Sequence, residues 1–404
     1  MLYLAYQAHS DMIEPAKSMA RTSLAMLGAW GSAADVPLFR NLSATYELIA
    51  RVGLTHVRPD YGITSVKVGN REVEVTEVPT LTLPFGTLLN LKKDVPAHQP
   101  RVMVVAPLSG HFATLLRNTV RTLLPDHDVY ITDWHNARDV SLEEGAFGFD
   151  DYVDYLIRFL EALGPGAHIV AVCQPCVQAL AAVATMAADL NPAQPRSMTL
   201  MAGPIDTRIN PTKVNKLAMS KPIEWFESNL IARIPPKYPG SGRKVYPGFV
   251  QLAAFVSMNV NRHYNAHQEL YEHLANGEHE KAQVIKTFYD EYFAVLDLPA
   301  EFYLETVRWV FQDALLPKGE LTFKGEPVAL KAIRKTALLT VEGERDDICA
   351  LGQTAVAHDL CTSLKPHMKR HHMQTGVGHY GVFSGRRWEG QIYPIVRNLI
   401  LASD

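Results

Sequence analysis

Apolar residues recur at three- and four-residue intervals from Met1 to Leu27 and again from Leu38 to Val52, which predicts helices over most of residues 1–57. The period then changes. Thr64–Val68 and Glu72–Val78 alternate polar and apolar side chains on either side of Gly69-Asn70, the pattern of a β-hairpin. Residues Pro84 to His98 read as a loop or an edge segment. From Arg101 onward short runs of β-formers alternate with helical stretches. Strands are predicted at Arg101–Ala106 and Asp128–Trp134, and helices at Phe112–Leu124 and Asp151–Leu163. In the second helix Tyr152, Tyr155, Leu156, Phe159 and Leu163 share one face. Ile169–Val172 and Ser197–Ala202 are two further strands enclosing an Ala-rich helical run. Such alternation predicts a mostly parallel sheet with right-handed crossovers and flanking helices.

The alternation fails from about Gly203 to Leu330. That interval carries aromatic and Pro-rich segments around Trp225, Phe226, Tyr246 and Phe249, and helical runs at Val284–Leu296 and Pro299–Leu316, the latter with Trp309. It reads as a mostly helical insertion, with most of these aromatics in its own core. The sheet resumes at Thr336–Glu342 and closes at His371–Thr375, with a crossover helix at Thr354–Leu364 and a final helix at Trp388–Leu401. The expected organisation is an N-terminal helical region, 1–57, packed on a core made of 58–205 and 331–404, with a lid or cap at 206–330.

Composition narrows the class. With 404 residues, 47% hydrophobic and 20% charged, the chain has the make-up of an ordinary globular protein with a sizeable core. Its net charge of −3 gives no basis for binding nucleic acid. The N-terminus shows no secretory-signal pattern, and no apolar run is long enough for a membrane span. Four cysteines in so long a chain are no disulfide framework, so a reducing cytoplasm is expected.

The chemistry centres on Cys173. The β-run Ile169–Val172 stops there and the helix begins at once, which is the geometry of a nucleophile elbow. A thiolate at that corner faces the positive end of the following helix. Ala171 fits the small-residue pattern of such elbows, whereas Pro175 departs from it. Two blander readings compete: a buried core cysteine, and a Cys173-x-x-Cys176 redox pair. Downstream, Asp346 and Asp347 follow one returning strand, and His379 lies in the glycine-lined loop after the next. The order nucleophile, acid, histidine is that of α/β-hydrolases, so that fold, with a mostly helical lid insertion, is the fold class expected. An oxyanion hole is then expected from the N–H of Gln174 and one N–H of the loop Ala106–His111, with Leu108 preferred and Ser109 next. Ser109 and His111 are the candidate substrate-binding residues. No metal or cofactor site is expected.

Further motifs extend over the whole chain: Ala106-Pro-Leu-Ser-Gly-His, Tyr130-Ile-Thr-Asp-Trp, Val172-Cys-Gln-Pro, Gly203-Pro-Ile-Asp, Val245-Tyr-Pro-Gly-Phe, Phe288-Tyr-Asp-Glu-Tyr, Val341-Glu-Gly-Glu-x-Asp-Asp-Ile and Phe383-Ser-Gly-Arg-Arg-Trp. By these the chain resembles intracellular poly(3-hydroxybutyrate) depolymerases. The resemblance implies a Cys-Asp-His triad, which falls on Cys173, Asp346 and His379. Related polyester synthases place their acid directly before His-Ile, and Asp346-Asp347-Ile348 aligned on that again selects Asp346. Cys176 departs from the family, where a small residue without a thiol is expected. The implied partners are the polymer or its oligomers and the cytoplasmic granule surface, and a homodimer is left open. The alternatives are a synthase-like acyltransferase, a non-catalytic granule protein and a thioredoxin-like protein. Synthases carry Gly-x-Cys-x-Gly, and Ala171 and Pro175 stand at those glycines.

Overall fold

The computed structural model describes residues 2–30, 36–95, 98–258 and 260–404. The helical reading at Met1 and at 31–35, the loop reading at 96–97 and position 259 of the insertion lie outside the described residues. Strands β1 (Ser65–Val68), β2 (Arg71–Leu83), β3 (Gly86–Lys93), β4 (Arg101–Val105), β5 (Asp128–Trp134), β6 (His168–Val172), β7 (Ser197–Met201), β8 (Ala337–Gly343) and β9 (Lys369–Gln374) form one sheet. Their spatial order is β1-β2-β3-β5-β4-β6-β7-β8-β9. The first three strands run as an antiparallel meander, β3 pairs antiparallel with β5, and every later pairing is parallel. The hairpin turns at Gly69-Asn70, where Val68 faces Arg71.

Strand β3 corrects the loop reading of Pro84–His98. Its residues from Gly86 to Leu91 are all buried, so the two-residue alternation that marks a half-exposed strand is missing. Asn90 looks like a breaker in sequence. Its side-chain amide instead donates to Asp128 Oδ1 at 2.9 Å and to the Val129 carbonyl at 3.2 Å, across the strand pair. Gly86 is required for close approach, because a Cβ there would lie 2.8 Å from the Trp134 ring.

The central strands β4, β6, β7 and β8 are buried along almost their entire length. Helices α1 (Leu2–Ala29) and α2 (Pro37–Ala50) lie before the sheet, and α3 (Arg117–Leu123) follows β4. A short 3-10 turn, Ala113–Leu116, takes the first half of the helix expected from Phe112. Helices α4 (Phe149–Leu163) and α5 (Cys176–Ala188) follow β5 and β6. Ala179, Ala181, Ala182 and Ala184 of α5 are fully buried, and their small side chains let this helix sit tight against both the sheet and α4. The crossover expected at Thr354–Leu364 is mostly turns, with helix only at Ala357–Leu360.

Between β7 and β8 the chain leaves the sheet. It forms α6 (Lys213–Met219), α7 (Ile223–Leu230), α8 (Gly248–Met258), α9 (Val260–Ala275), α10 (His279–Tyr292) and α11 (Ala300–Glu305), the last continuing as a wider π-helical segment to Gln312. A small antiparallel sheet of Ala232–Arg233, Lys244–Tyr246 and Leu298–Pro299 joins them, which the helical reading did not foresee. Phe226 and Tyr246 are buried there, Phe249 and Trp309 half-buried and Trp225 exposed. Two polar anchors fasten this segment. The Arg243 guanidinium donates to the carbonyls of Val140, Ser141 and Gly145, and Tyr3 of α1 donates to the buried Asp297 at 2.8 Å. Burial raises the Asp297 carboxyl to about 6 against the opposing hydrogen bonds from Gly248 and Tyr3. No helix among the described residues is long and apolar enough to cross a membrane.

Candidate active site

The sharp corner after β6 holds Cys173 at φ 66°, a left-handed conformation that a residue with a Cβ adopts at a cost of about 1–2 kcal/mol. Two hydrogen bonds hold it there: Cys173 N–H donates to Met201 O at 2.8 Å, and Cys176 N–H to Cys173 O at 3.1 Å. Pro175 stands just before the first residue of α5 with φ −73°, where its missing N–H has no intrahelical partner to lose. The corner therefore turns the Cys173 side chain out at the carboxyl end of the sheet.

The two returning strands bring their loops to the same edge. His379 Nδ1 lies 2.7 Å from Asp346 Oδ2, and both residues are buried, at 6% and 7% exposure. The other carboxylate oxygen, Oδ1, accepts the N–H of Ile348 at 2.9 Å and of Cys349 at 2.8 Å. Asp347, one residue on, is exposed. Cys173 lies near enough to the imidazole to act on its charge. Burial alone would lower the pKa of His379, but the Asp346 charge, the Cys173 charge and the hydrogen bonds to both outweigh it and raise the imidazole well above its ordinary value.

That direction has a measurable consequence. The imidazole ring protons of His379 should titrate well above the ordinary histidine range by NMR. In Asp346→Asn the titration should fall steeply, because burial is then opposed by Cys173 alone. The sign for stability follows from the raised value. The contribution of protonated His379 is complete below its unfolded pKa and is lost as pH rises through the elevated folded one. An unchanged titration in Asp346→Asn would contradict this account.

The loop after β4 starts from a fixed point. Ala106 N–H donates to Thr132 Oγ1 at 3.0 Å, and the Ala106 carbonyl accepts both Trp134 Nε1–H at 2.8 Å and Tyr152 O–H at 2.9 Å. Gly110 has φ +94°, and its carbonyl accepts Leu296 N–H at 3.0 Å. The backbone N–H groups of Gln174 and Leu108 donate to no acceptor among the described residues. Leu108 is buried and Ser109 half-exposed. His111 is 3% exposed, its ring between Phe255 at 5.9 Å and Tyr292 at 5.1 Å. Burial pulls its pKa down to about 4, against a hydrogen bond with the Tyr292 backbone, so its ring is neutral.

Cys176 is fully buried, and its thiol donates to Ala171 O at 3.3 Å, beneath β6. Burial, with the nearby Cys173 adding to it, pushes this thiol well up. Gly203 is its counterpart, since a Cβ there would lie 2.2 Å from Cys176 Cβ. The buried thiol bonded to Ala171 O supports the packing reading of Cys176 over the redox pair, and all four cysteines are free. Cys176→Ala should show the same inactivation by mild peroxide, and the same recovery with a dithiol, as the parent protein. A loss of recovery confined to the variant would restore the redox reading.

Sequence reasoning passed over Glu342 and Thr354. Glu342, at the end of β8 and 2% exposed, accepts N–H bonds from Gly352 at 3.0 Å, Thr354 at 2.8 Å and Ala355 at 2.9 Å. Thr354 Oγ1 then accepts Gly203 N–H at 2.8 Å and donates to Gly203 O at 2.9 Å. One buried carboxylate thus ties the segment that follows the Asp346 loop to the segment that follows β7. The signal available in sequence was Glu342 itself, a charge inside a run of β-formers. No group of residues fit to hold a metal ion occurs among the described residues.

The strand order, with the corner after β6 and the acid and histidine loops after β8 and β9, defines an α/β-hydrolase. The family described as "PHB de-polymerase C-terminus" matches residues 202–404, and the chain belongs to it. The matched half carries Asp346 and His379, and Cys173 lies ahead of it. No curated protein sequence matches the chain. Solved structures similar to it include the 2-hydroxy-6-oxo-6-phenylhexa-2,4-dienoate hydrolase of Rhodococcus sp. strain RHA1, at 14% identity and TM-score 0.43, covering 81% of this chain and 99% of that one. The meta-cleavage product hydrolase CumD of Pseudomonas fluorescens IP01 aligns at 15% identity and TM-score 0.42, covering 84% and 98%. DcsB in complex with its substrate analogue aligns at 12% identity and TM-score 0.46, covering 82% and 99%. The fold assignment rests on the strand order, not on likeness at this level.

Proposed function

We propose that the chain hydrolyses the ester bonds of poly(3-hydroxybutyrate) through a Cys173-Asp346-His379 triad and a thioester intermediate. The observation that carries this is the 2.7 Å contact between His379 and Asp346, with Cys173 near enough to act on the same imidazole. The family membership supports the polymer as substrate.

In this reading the Cys173 sulfur attacks the ester carbonyl carbon while His379 holds the thiol proton. The tetrahedral oxyanion accepts N–H bonds from Gln174 and Leu108, which have no other acceptor among the described residues. Collapse breaks the C–O bond, and His379 delivers the proton to the departing alkoxide, leaving a 3-hydroxyacyl thioester on Cys173. Water then attacks the thioester and gives a proton to His379. The second collapse releases the hydroxyacid and returns the proton to sulfur. Asp346 holds the imidazole in the tautomer and orientation both halves need. Ser109, half-exposed beside Leu108, meets the acyl chain in this reading, and His111, buried between Phe255 and Tyr292, packs behind it. The segment 206–330 acts as the lid. The protein works at the surface of cytoplasmic polyester granules, and no step calls for a cofactor.

Incubating the protein with amorphous poly(3-hydroxybutyrate) granules and assaying released 3-hydroxybutyrate tests this directly. Release that depends on Cys173 is expected. Cleavage of small esters without any release from granules would mean that the substrate is wrong while the chemistry stands.

A further inference from the structure

We propose that the cavity between the N-terminal helices and the α9–α10 pair binds a neutral linear oligoester, a stretch of polymer outside the catalytic centre. The proposal rests on the substrate reading above and adds a second binding site to it.

The cavity measures about 690 Å³, a size that holds a small organic ligand. Leu48, Leu54, Leu270, Tyr289 and Phe293 give it apolar walls, and the cations Lys17, Arg51, Arg58 and Lys286 line it together with His267 and Asp290. Those four cations are already neutralised. Lys17 pairs with Glu14 at 3.1 Å, Lys286 with Glu47 at 3.0 Å, and Arg51 with both Glu47 at 2.8 Å and Asp290. Arg58 pairs with Glu77 at 2.9 Å and Asp133 at 2.7 Å. With Arg21, which also pairs with Glu14, five cations meet five carboxylates, so a free anion finds no excess positive charge. Hydrogen-bond donors nevertheless remain, because an ammonium carries three N–H groups and a guanidinium five.

A lining of apolar walls and charge-compensated donors complements a ligand with acceptors, no donors and no charge. A polyester of hydroxy acids is such a molecule along its length: ester carbonyls alternate with hydrocarbon, and only its two ends differ. The cavity also stands behind the catalytic edge rather than in it. Tyr289 in its wall lies 6.2 Å from the Tyr292 ring, and Tyr292 lies 5.1 Å from His111 of the loop after β4. The occupant is therefore a neighbouring part of the chain, held while another part reacts. This gives the N-terminal helices a role that their sequence pattern does not announce.

The probe is a trimer of 3-hydroxybutyrate, acetylated at its hydroxyl end and methyl-esterified at its carboxyl end. Added to Cys173→Ala protein with labelled tyrosine and phenylalanine rings, it should shift the NMR signals of Tyr289 and Phe293. Lys17→Met with Lys286→Met in the same background should weaken that binding about tenfold. The change strands no carboxylate, because Glu14 keeps Arg21 and Glu47 keeps Arg51. Val52→Trp, which fills the same cavity without touching a charge, should do likewise. With Cys173 intact, both changes should lower the ratio of granule turnover to small-ester turnover. The proposal is overturned if neither ring responds, if affinity is unchanged in both variants, or if inorganic phosphate binds there as tightly as the capped trimer. A wild-type protein that releases nothing from granules would remove the substrate reading instead, and the ring shifts would still report on the cavity.

Discussion

Cys173→Ala is expected to abolish ester hydrolysis, with a loss of roughly 10⁴-fold or more, while the circular dichroism spectrum stays unchanged. The size of the loss follows from the proposed chemistry, which has no other sulfur to offer. Cys176 and Cys349 are both buried, and burial raises both thiols. The intact fold follows from local geometry. Alanine meets the φ of 66° at about the same cost as cysteine, and the half-buried sulfur leaves little space behind. Cys173→Ser should be feeble rather than dead, because a hydroxyl is far harder to deprotonate than a thiol at the same site. Substantial hydrolysis by the alanine variant would dismiss the triad as proposed.

Asp346→Asn comes next in size, with an expected loss on the order of 10⁴-fold in turnover. The carboxylate divides its two oxygens: Oδ1 takes the amides of Ile348 and Cys349, and Oδ2 takes His379 Nδ1–H. An asparagine has only one oxygen. If that oxygen stays with the two amides, its NH₂ faces Nδ1 and forces the imidazole proton onto the nitrogen that must accept from sulfur. Asp347→Asn should stay within a few-fold of the parent, since Asp347 is exposed. Steady-state rates on a soluble ester decide the matter, and the reverse ranking would place the acid one residue later.

Much of the site was legible because its parts sit at changes of pattern. The β-run ending at Cys173, the aspartate pair after β8 and the glycine-lined His379 loop after β9 each mark the carboxyl end of a parallel strand. Parallel strands bring such ends to one edge, so their order along the chain was enough to suggest what meets there. Strand β3 escaped because both its faces are covered, which removes the alternation by which a strand is recognised. The pins on Ala106 and the bonds made by Glu342 escaped for another reason. Trp134, Tyr152 and Thr354 reach their partners across the fold, and nothing in their sequence neighbours signals it.

By itself the sequence determined the alternation of strand and helix, the elbow at Cys173 and the succession of cysteine, acid and histidine. These depend on local periodicity and on the conformational preferences of short segments. Only the tertiary structure showed which groups Asp346 meets and Asp347 does not, and where the Cys176 thiol lies. Neighbouring residues of a turn point in different directions, and the choice falls to the groups that wait there. For Asp346 these are two backbone amides and an imidazole, and for Cys176 a backbone carbonyl beneath the sheet.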